Sequence, residues 1–243
     1  MAPSGPNHQH TVTSFDDELR KLNNTISRMG GLAETQLTQA LKALSQRDSD
    51  LASRVVSQDA QIDQHDQEVQ NLVVRLLALR QPMADDLRLI VGALKVSADL
   101  ERIGDYAANV AKRTMVINQI PPVKAAGPIP LMGRLVQELI KDVLDAYVER
   151  DEDKALDVWR RDEEVDEMHT SLTREFITYM MEDPRNITSC THLMFIIKNI
   201  ERIGDHATNI AETVHFTVSG RPISGQRPKG DAGSAPDLGN ETA

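Results

Sequence analysis

Apolar residues recur along this chain at alternating intervals of three and four, the spacing that keeps side chains on one face of an α-helix. Leu19, Leu22, Ile26, Met29, Ala33, Leu37, Ala40 and Leu44 mark a first long amphipathic helix, and Leu51, Val55, Ile62, Val69, Leu72, Leu76 and Leu79 mark a second. Arg47-Asp48-Ser49-Asp50 supplies a break and a cap between them, because a short acidic side chain accepts from the free N–H groups that open a helix. Gln81-Pro82 ends the second helix, since proline drives its predecessor out of helical geometry. A third helix is predicted from about Asp85 to Ile117. Pro121, Pro122, Gly127, Pro128 and Pro130 then crowd the segment from Asn118 to Pro130, which no helix tolerates at that density. Beyond this break three more helices are predicted, at about Leu131–Glu149, Glu152–Met181 and Arg185–Ser219. Arg150-Asp151-Glu152-Asp153 and Asp183-Pro184 stand at the junctions. No segment reads as a strand, so the expected fold is all-α.

The two halves repeat one another. Glu101-Arg102-Ile103-Gly104-Asp105 returns as Glu201-Arg202-Ile203-Gly204-Asp205, and identity continues at Ala107/Ala207, Asn109/Asn209 and Ala111/Ala211. Upstream, an offset of 103 aligns Met29-Gly30 with Met132-Gly133, Asp48 with Asp151, Asp59 with Asp162 and Asp63 with Asp166. The three-residue difference in register is absorbed near Pro82 and Pro184. An internal duplication into two tandem three-helix bundles follows, over residues 14–118 and 131–220. Residues 1–13 and 221–243 are rich in Gly, Pro, Ser and Asn, lack apolar periodicity, and are expected to be disordered tails.

Composition narrows the function. With 243 residues and 40% hydrophobic side chains the chain can bury a core, in one large domain or two small ones. Lys and Arg number 27 against 37 Asp and Glu, and the net charge of -10 argues against nucleic-acid binding. Aromatics at 3% leave no stock of platforms for stacking bases. Cys190 is the only cysteine, which excludes an intrachain disulfide and a Cys-rich zinc site and fits a reducing compartment. Residues 1–15 do not read as a signal peptide, and no apolar run approaches the roughly 18 residues of a membrane helix.

Candidate chemistry lies in the acids. Helical residues four apart point the same way, about 40° apart around the axis, so Glu101/Asp105, Glu201/Asp205, Asp59/Asp63 and Asp162/Asp166 form acidic ladders. Asp66 and His169 extend the second pair of ladders by three residues. On the third helix Leu89, Ala93, Val96, Leu100, Ile103, Ala107 and Val110 form the apolar stripe, and Arg88, Lys95, Asp99 and Arg113 mark a wet side. Glu101, Asp105 and Asn109 continue a second stripe begun by Leu87, Leu94 and Ala98, where another surface is expected. Stacked carboxylates repel, so a positive partner is required. Arg102 and Arg202 lie about 100° from their adjacent acids and are poorly placed to supply it. A cation held by oxygen ligands from two helices, magnesium, manganese, iron or zinc, fits better. The ordinary alternative is a solvated acidic face. A ferritin-like di-iron centre needs Glu-x-x-His on two helices, whereas a single Asp166-x-x-His169 is present. Cys190 and Trp159 read as packing residues. No nucleophile with a base partner and no Gly-rich phosphate loop is found, so nothing calls for an enzyme.

With its duplicated Glu-Arg-Ile-Gly-Asp, Met29-Gly30-Gly31, Arg80-Gln81-Pro82 before Asp86-Leu87-Arg88-Leu89, and Tyr179-Met180-Met181-Glu182-Asp183-Pro184, the chain resembles the PhoU family over about Ser14 to Gly220. That resemblance implies two tandem three-helix bundles, commonly in a homodimer. It also implies metal ions or clusters on an acid-x-x-x-Asp motif, which falls here on Asp59, Asp63, Glu101, Asp105, Asp162, Asp166, Glu201 and Asp205. Asp66, Asn109, His169 and Asn209 are possible further ligands. The resemblance further implies a cytoplasmic negative regulator of the phosphate regulon, coupling the Pst phosphate ABC transporter to a PhoR-type sensor histidine kinase and restraining phosphate uptake. The alternative is a metal-binding or storage module without signalling partners.

Overall fold

A computed structural model of the chain describes residues 6–122, 126–225 and 227, with side chains from Phe15 onward. Among the described residues there are six α-helices: α1 (Pro6–Gln46), α2 (Ser49–Arg80), α3 (Ala84–Ile117), α4 (Ile129–Glu149), α5 (Glu152–Glu182) and α6 (Ile187–Ser219), with a 3-10 turn at Pro184–Asn186 leading into α6. Among the described residues there is no strand. Helices α1 to α3 pack together, as do α4 to α6, and the halves meet through α3 against α6 and α1 against α4. The buried side chains of both halves form one continuous core.

The junctions obey local rules and repeat across the duplication. Arg47 and Arg150 take left-handed backbone at φ 54° and 56°, and the next residue caps the following helix. The Asp48 carboxylate accepts from the Leu51 N–H at 2.8 Å, and Asp151 accepts from Asp153 and Lys154, each at 3.0 Å. Arg47 also donates to the Ile117 and Ile120 carbonyls at 2.9 and 2.7 Å, tying the end of α3 to the α1–α2 corner.

Two expectations at the chain ends are revised. Helix α1 begins at Pro6, not at Ser14, because proline is suited to the first helical turn and the following residues continue the same helix. Pro222, Ile223, Gly225 and Arg227 lie back on the protein, where they line a cavity with α3, α5 and α6.

The halves interlock reciprocally. A Cβ on Gly30 of α1 would collide with Leu144 of α4, and one on Gly133 of α4 would lie 2.6 Å from Leu41 Cδ1 of α1. Each glycine forms the notch for the other half's leucine, so α1 and α4 cross antiparallel at close range. Tyr147 of α4 reinforces the crossing by donating to Asn23 Oδ1 of α1 at 3.0 Å. Gly31, by contrast, has nothing within 4 Å of the position its Cβ would take.

These neighbours should respond oppositely to the same change. Gly31→Ala is expected to stabilise by about 0.5–1 kcal/mol, the helical cost of glycine. Gly30→Ala is expected to destabilise by about 1–3 kcal/mol through overpacking against Leu144. Urea unfolding of the two variants checks both signs.

Candidate cation site: the paired carboxylate ladders

In the first half α2 and α3 bring their acids to a common seam. Gly104 makes the approach possible, since a Cβ there would lie 2.7 Å from Ile62 Cδ1 and 3.4 Å from Asp59 Oδ1. Asp59 is half-buried, and burial, with further repulsion from Asp105 and Asp63, raises its pKa above the ordinary value despite a hydrogen bond from Gln36. Glu101 is raised for the same leading reason, burial, with Asp105, Asp63 and Asp66 adding negative charge and Arg102 opposing. Asp59 and Glu101 therefore both feel the charges of Asp63 and Asp105. Asp63 itself is exposed. Asp66 is drawn toward Ser97, whose hydroxyl donates to it, and toward Gln70 Nε2 at 2.6 Å.

The second half repeats the seam with α5 and α6. Asp162 is only 2% exposed and Glu201 is 11% exposed in its side chain. Burial raises the pKa of both, opposed at Asp162 by Arg227 and at Glu201 by a hydrogen bond from Lys198. Glu201 Oε2 is buried and has no hydrogen-bond partner among the described residues, whereas Oε1 takes Lys198 Nζ at 2.7 Å. Asp166 and His169 are half-buried on α5 and partnered.

The counter-charges differ from expectation. Arg102 does reach its own ladder, with Nη1 2.9 Å from Asp105 Oδ2 and Nε 3.3 Å from Glu101 Oε2. A 100° separation at the backbone is overcome by the length of the arginine stem, which curls to residue i+3. Arg202 turns elsewhere and donates to Tyr106 Oη at 3.2 Å, while Arg227 takes the second ladder. Among the described residues, no three acidic, imidazole or thiol groups stand in a geometry that would hold a metal ion.

The proposed extra asparagines part from the ladders. Asn209 donates to Asp99 Oδ1 at 3.3 Å, and Asn109 lines a groove with Tyr106, Lys112 and Phe195. Asp99 and Arg113, expected on a wet side, instead face α6. Asp99 binds His206 Nδ1 at 2.7 Å, and Arg113 lies 4.0 Å over the Phe195 ring. Leu87 and Ala98 of the supposed second stripe are exposed. The actual seam follows Gly92, Asp99, Tyr106 and Arg113 at intervals of seven, with Tyr106 stacked on His206 at 5.6 Å.

Gln36 and Ser97 enter the site without having been singled out. Gln36, 3% exposed, donates to Asp59 Oδ1 at 3.0 Å and to the Gly104 carbonyl at 3.3 Å. Each is a polar residue inside an apolar helical stripe, and that interruption was the available signal.

Because burial raises the folded-state pKa of Asp59 and Glu101, the stability they lend is complete below the ordinary values of 3.8 and 4.5 and is lost as pH climbs through the raised values. The double variant Asp59→Asn, Glu101→Gln should therefore unfold at higher urea than wild type at pH 7.5. The gap should close by pH 4. A gap independent of pH would contradict the assignment.

The PhoU domain matches residues 26–114 and 129–214, one copy in each half. The PhoU homologue of Caulobacter vibrioides, a phosphate-specific transport system accessory protein, is 50% identical over 224 residues, covering 92% of this chain and 97% of that protein. The Rhizobium meliloti homologue is 47% identical over 236 residues, 97% of this chain and 99% of the relative. The crystal structure of PhoU from Pseudomonas aeruginosa superposes with a TM-score of 0.83 at 41% identity, over 85% of this chain and 100% of that one. The PhoU phosphate transport system regulatory protein of Streptococcus pneumoniae gives 0.80 at 29% identity, over 86% and 99%. Two matched domains, in two bundles carrying the same acidic motif, make this chain a member of the PhoU family.

Proposed function

We propose that this chain is a negative regulator of the phosphate regulon that couples the Pst phosphate ABC transporter to a PhoR-type sensor histidine kinase and restrains phosphate uptake. The observation that carries this reading is the likeness, over nearly the whole chain, to phosphate-specific transport system accessory proteins. It acts in the cytoplasm, as a homodimer, by docking rather than by catalysis. Among the described residues no helix is long and apolar enough to cross a membrane. A net charge of -10 is also repelled by anionic lipid, so in this reading partners bring the protein to the membrane face.

In the same reading the ladders hold divalent or trivalent cations. Asp59, Asp63, Glu101 and Asp105 would hold one in the first half, and Asp162, Asp166, Glu201 and Asp205 one in the second. The residues fit such a group chemically. They are hard oxygen donors, burial has raised the pKa of Asp59, Glu101, Asp162 and Glu201, and one oxygen of Glu201 has no partner among the described residues. A bound cation would supply the positive charge that offsets their repulsion. The sealed Glu201 oxygen equally favours a metal-holding module with no signalling partner.

A disruption strain separates the two. The regulator reading expects alkaline phosphatase to be expressed constitutively in high phosphate, and to be silenced again by the wild-type gene. Normal repression accompanied only by a defect in metal handling would overturn it. Elemental analysis of untagged protein purified without chelator should find bound metal, reduced in the Asp105→Asn, Asp205→Asn double variant.

A further inference from the structure

Beyond Ser219 the chain reverses. Gly220, at φ 71°, caps α6 by donating its N–H to the Phe216 carbonyl at 2.9 Å. Ile223 packs against the core, and Gly225 adopts φ 115°, a backbone shape that side-chain-bearing residues rarely take. Arg227 then enters the second carboxylate cluster. Its Nε lies 2.8 Å from Asp162 Oδ2, and its Nη2 lies 2.9 Å from Asp205 Oδ1 and 3.4 Å from the Asp205 carbonyl. The side chain is 19% exposed, between a carboxylate from α5 that is 2% exposed and one from α6 that is 37% exposed.

A guanidinium is permanently charged and presents its donors in a planar fork, so it can bridge carboxylates from two helices much as a divalent cation would. The first half has no such occupant among the described residues. There Arg102, itself 56% exposed and on the same helix, pairs with Glu101 and Asp105, while Asp59 is met by the neutral amide of Gln36 and feels Lys112 only through space. An exposed pair is screened by solvent, whereas separating a buried one leaves an uncompensated charge.

We propose that the second carboxylate cluster is a guanidinium site filled in cis by Arg227, a C-terminal latch that any external cation must displace, so that the duplicated ladders are unequal. The competition with a cation rests on the cation reading above; the latch does not. Opening the latch also uncovers the cavity of about 400 Å³ that Trp159, Glu212, Phe216, Ile223 and Arg227 line with α3. Trp159 is the chain's only tryptophan, 9% exposed, with its indole N–H donating to Glu212 at 3.1 Å. Its fluorescence therefore reports the latch.

The experiment compares acrylamide quenching and emission of Trp159 in full-length wild type, Arg227→Gln and Gly225→Val. The second variant strains the latch without touching a carboxylate. Both variants should shift emission to the red and raise quenching with helical circular dichroism unchanged; unaltered Trp159 in both would overturn the latch. Manganese is then titrated calorimetrically in an Asp59→Asn, Glu101→Gln background, with and without Arg227→Gln. Loss of the competing arginine should tighten manganese binding by about tenfold, equivalent to about 1.4 kcal/mol. Equal affinities in the two proteins would overturn the competition. No manganese binding in either would defeat the cation reading instead, leaving the latch to be judged on Trp159 alone.

Discussion

Like-charged carboxylates gathered into a partly dry helix seam must find positive charge, and much of this structure is arranged around that requirement. Asp59 and Glu101 in one half lose solvation to burial while Asp63 and Asp105 repel them, and Asp162 and Glu201 in the other lose it while Asp205 repels them. The fold could have left them at the surface. Instead Gly104 lets α2 close on α3, and Gln36 reaches over from α1 to satisfy the innermost oxygen. Such an arrangement costs the folded protein stability once these acids ionise.

The duplication explains the architecture, and its imperfections explain the differences between the halves. Gly30 receives Leu144 and Gly133 receives Leu41, while α3 and α6 lie together along a seam of paired polar and aromatic groups. The continuous core means that neither half is an isolated bead. Symmetry ends at the charges, where Arg102 serves the first ladder from its own helix and Arg227 serves the second from beyond α6.

The helices, their caps and the duplication were legible because their signals are local: spacing of apolar residues, a capping aspartate at a break, proline at a corner. What failed was the reading of long charged side chains. Asp99 and Arg113 look solvated on a helical wheel, yet both are consumed by partners on α6, and only their interval of seven from Gly92 and Tyr106 hinted at it. Arg102 was judged by the direction of its backbone, although its stem spans a helical turn. Arg227 lies in a Gly- and Pro-rich stretch with no periodicity, and its partners are 22 and 65 residues away, so nothing local announces it.

The central physical requirement is that these clusters are short of positive charge. Its most direct test is the melting temperature of the full-length protein in magnesium or manganese chloride against sodium chloride of equal ionic strength. A ligand that binds only the folded state raises stability by mass action, so the divalent salt should raise the melting temperature of wild type and raise it less in the Asp59→Asn, Glu101→Gln variant, which keeps only the second cluster. Identical melting of wild type in the two salts would contradict the account.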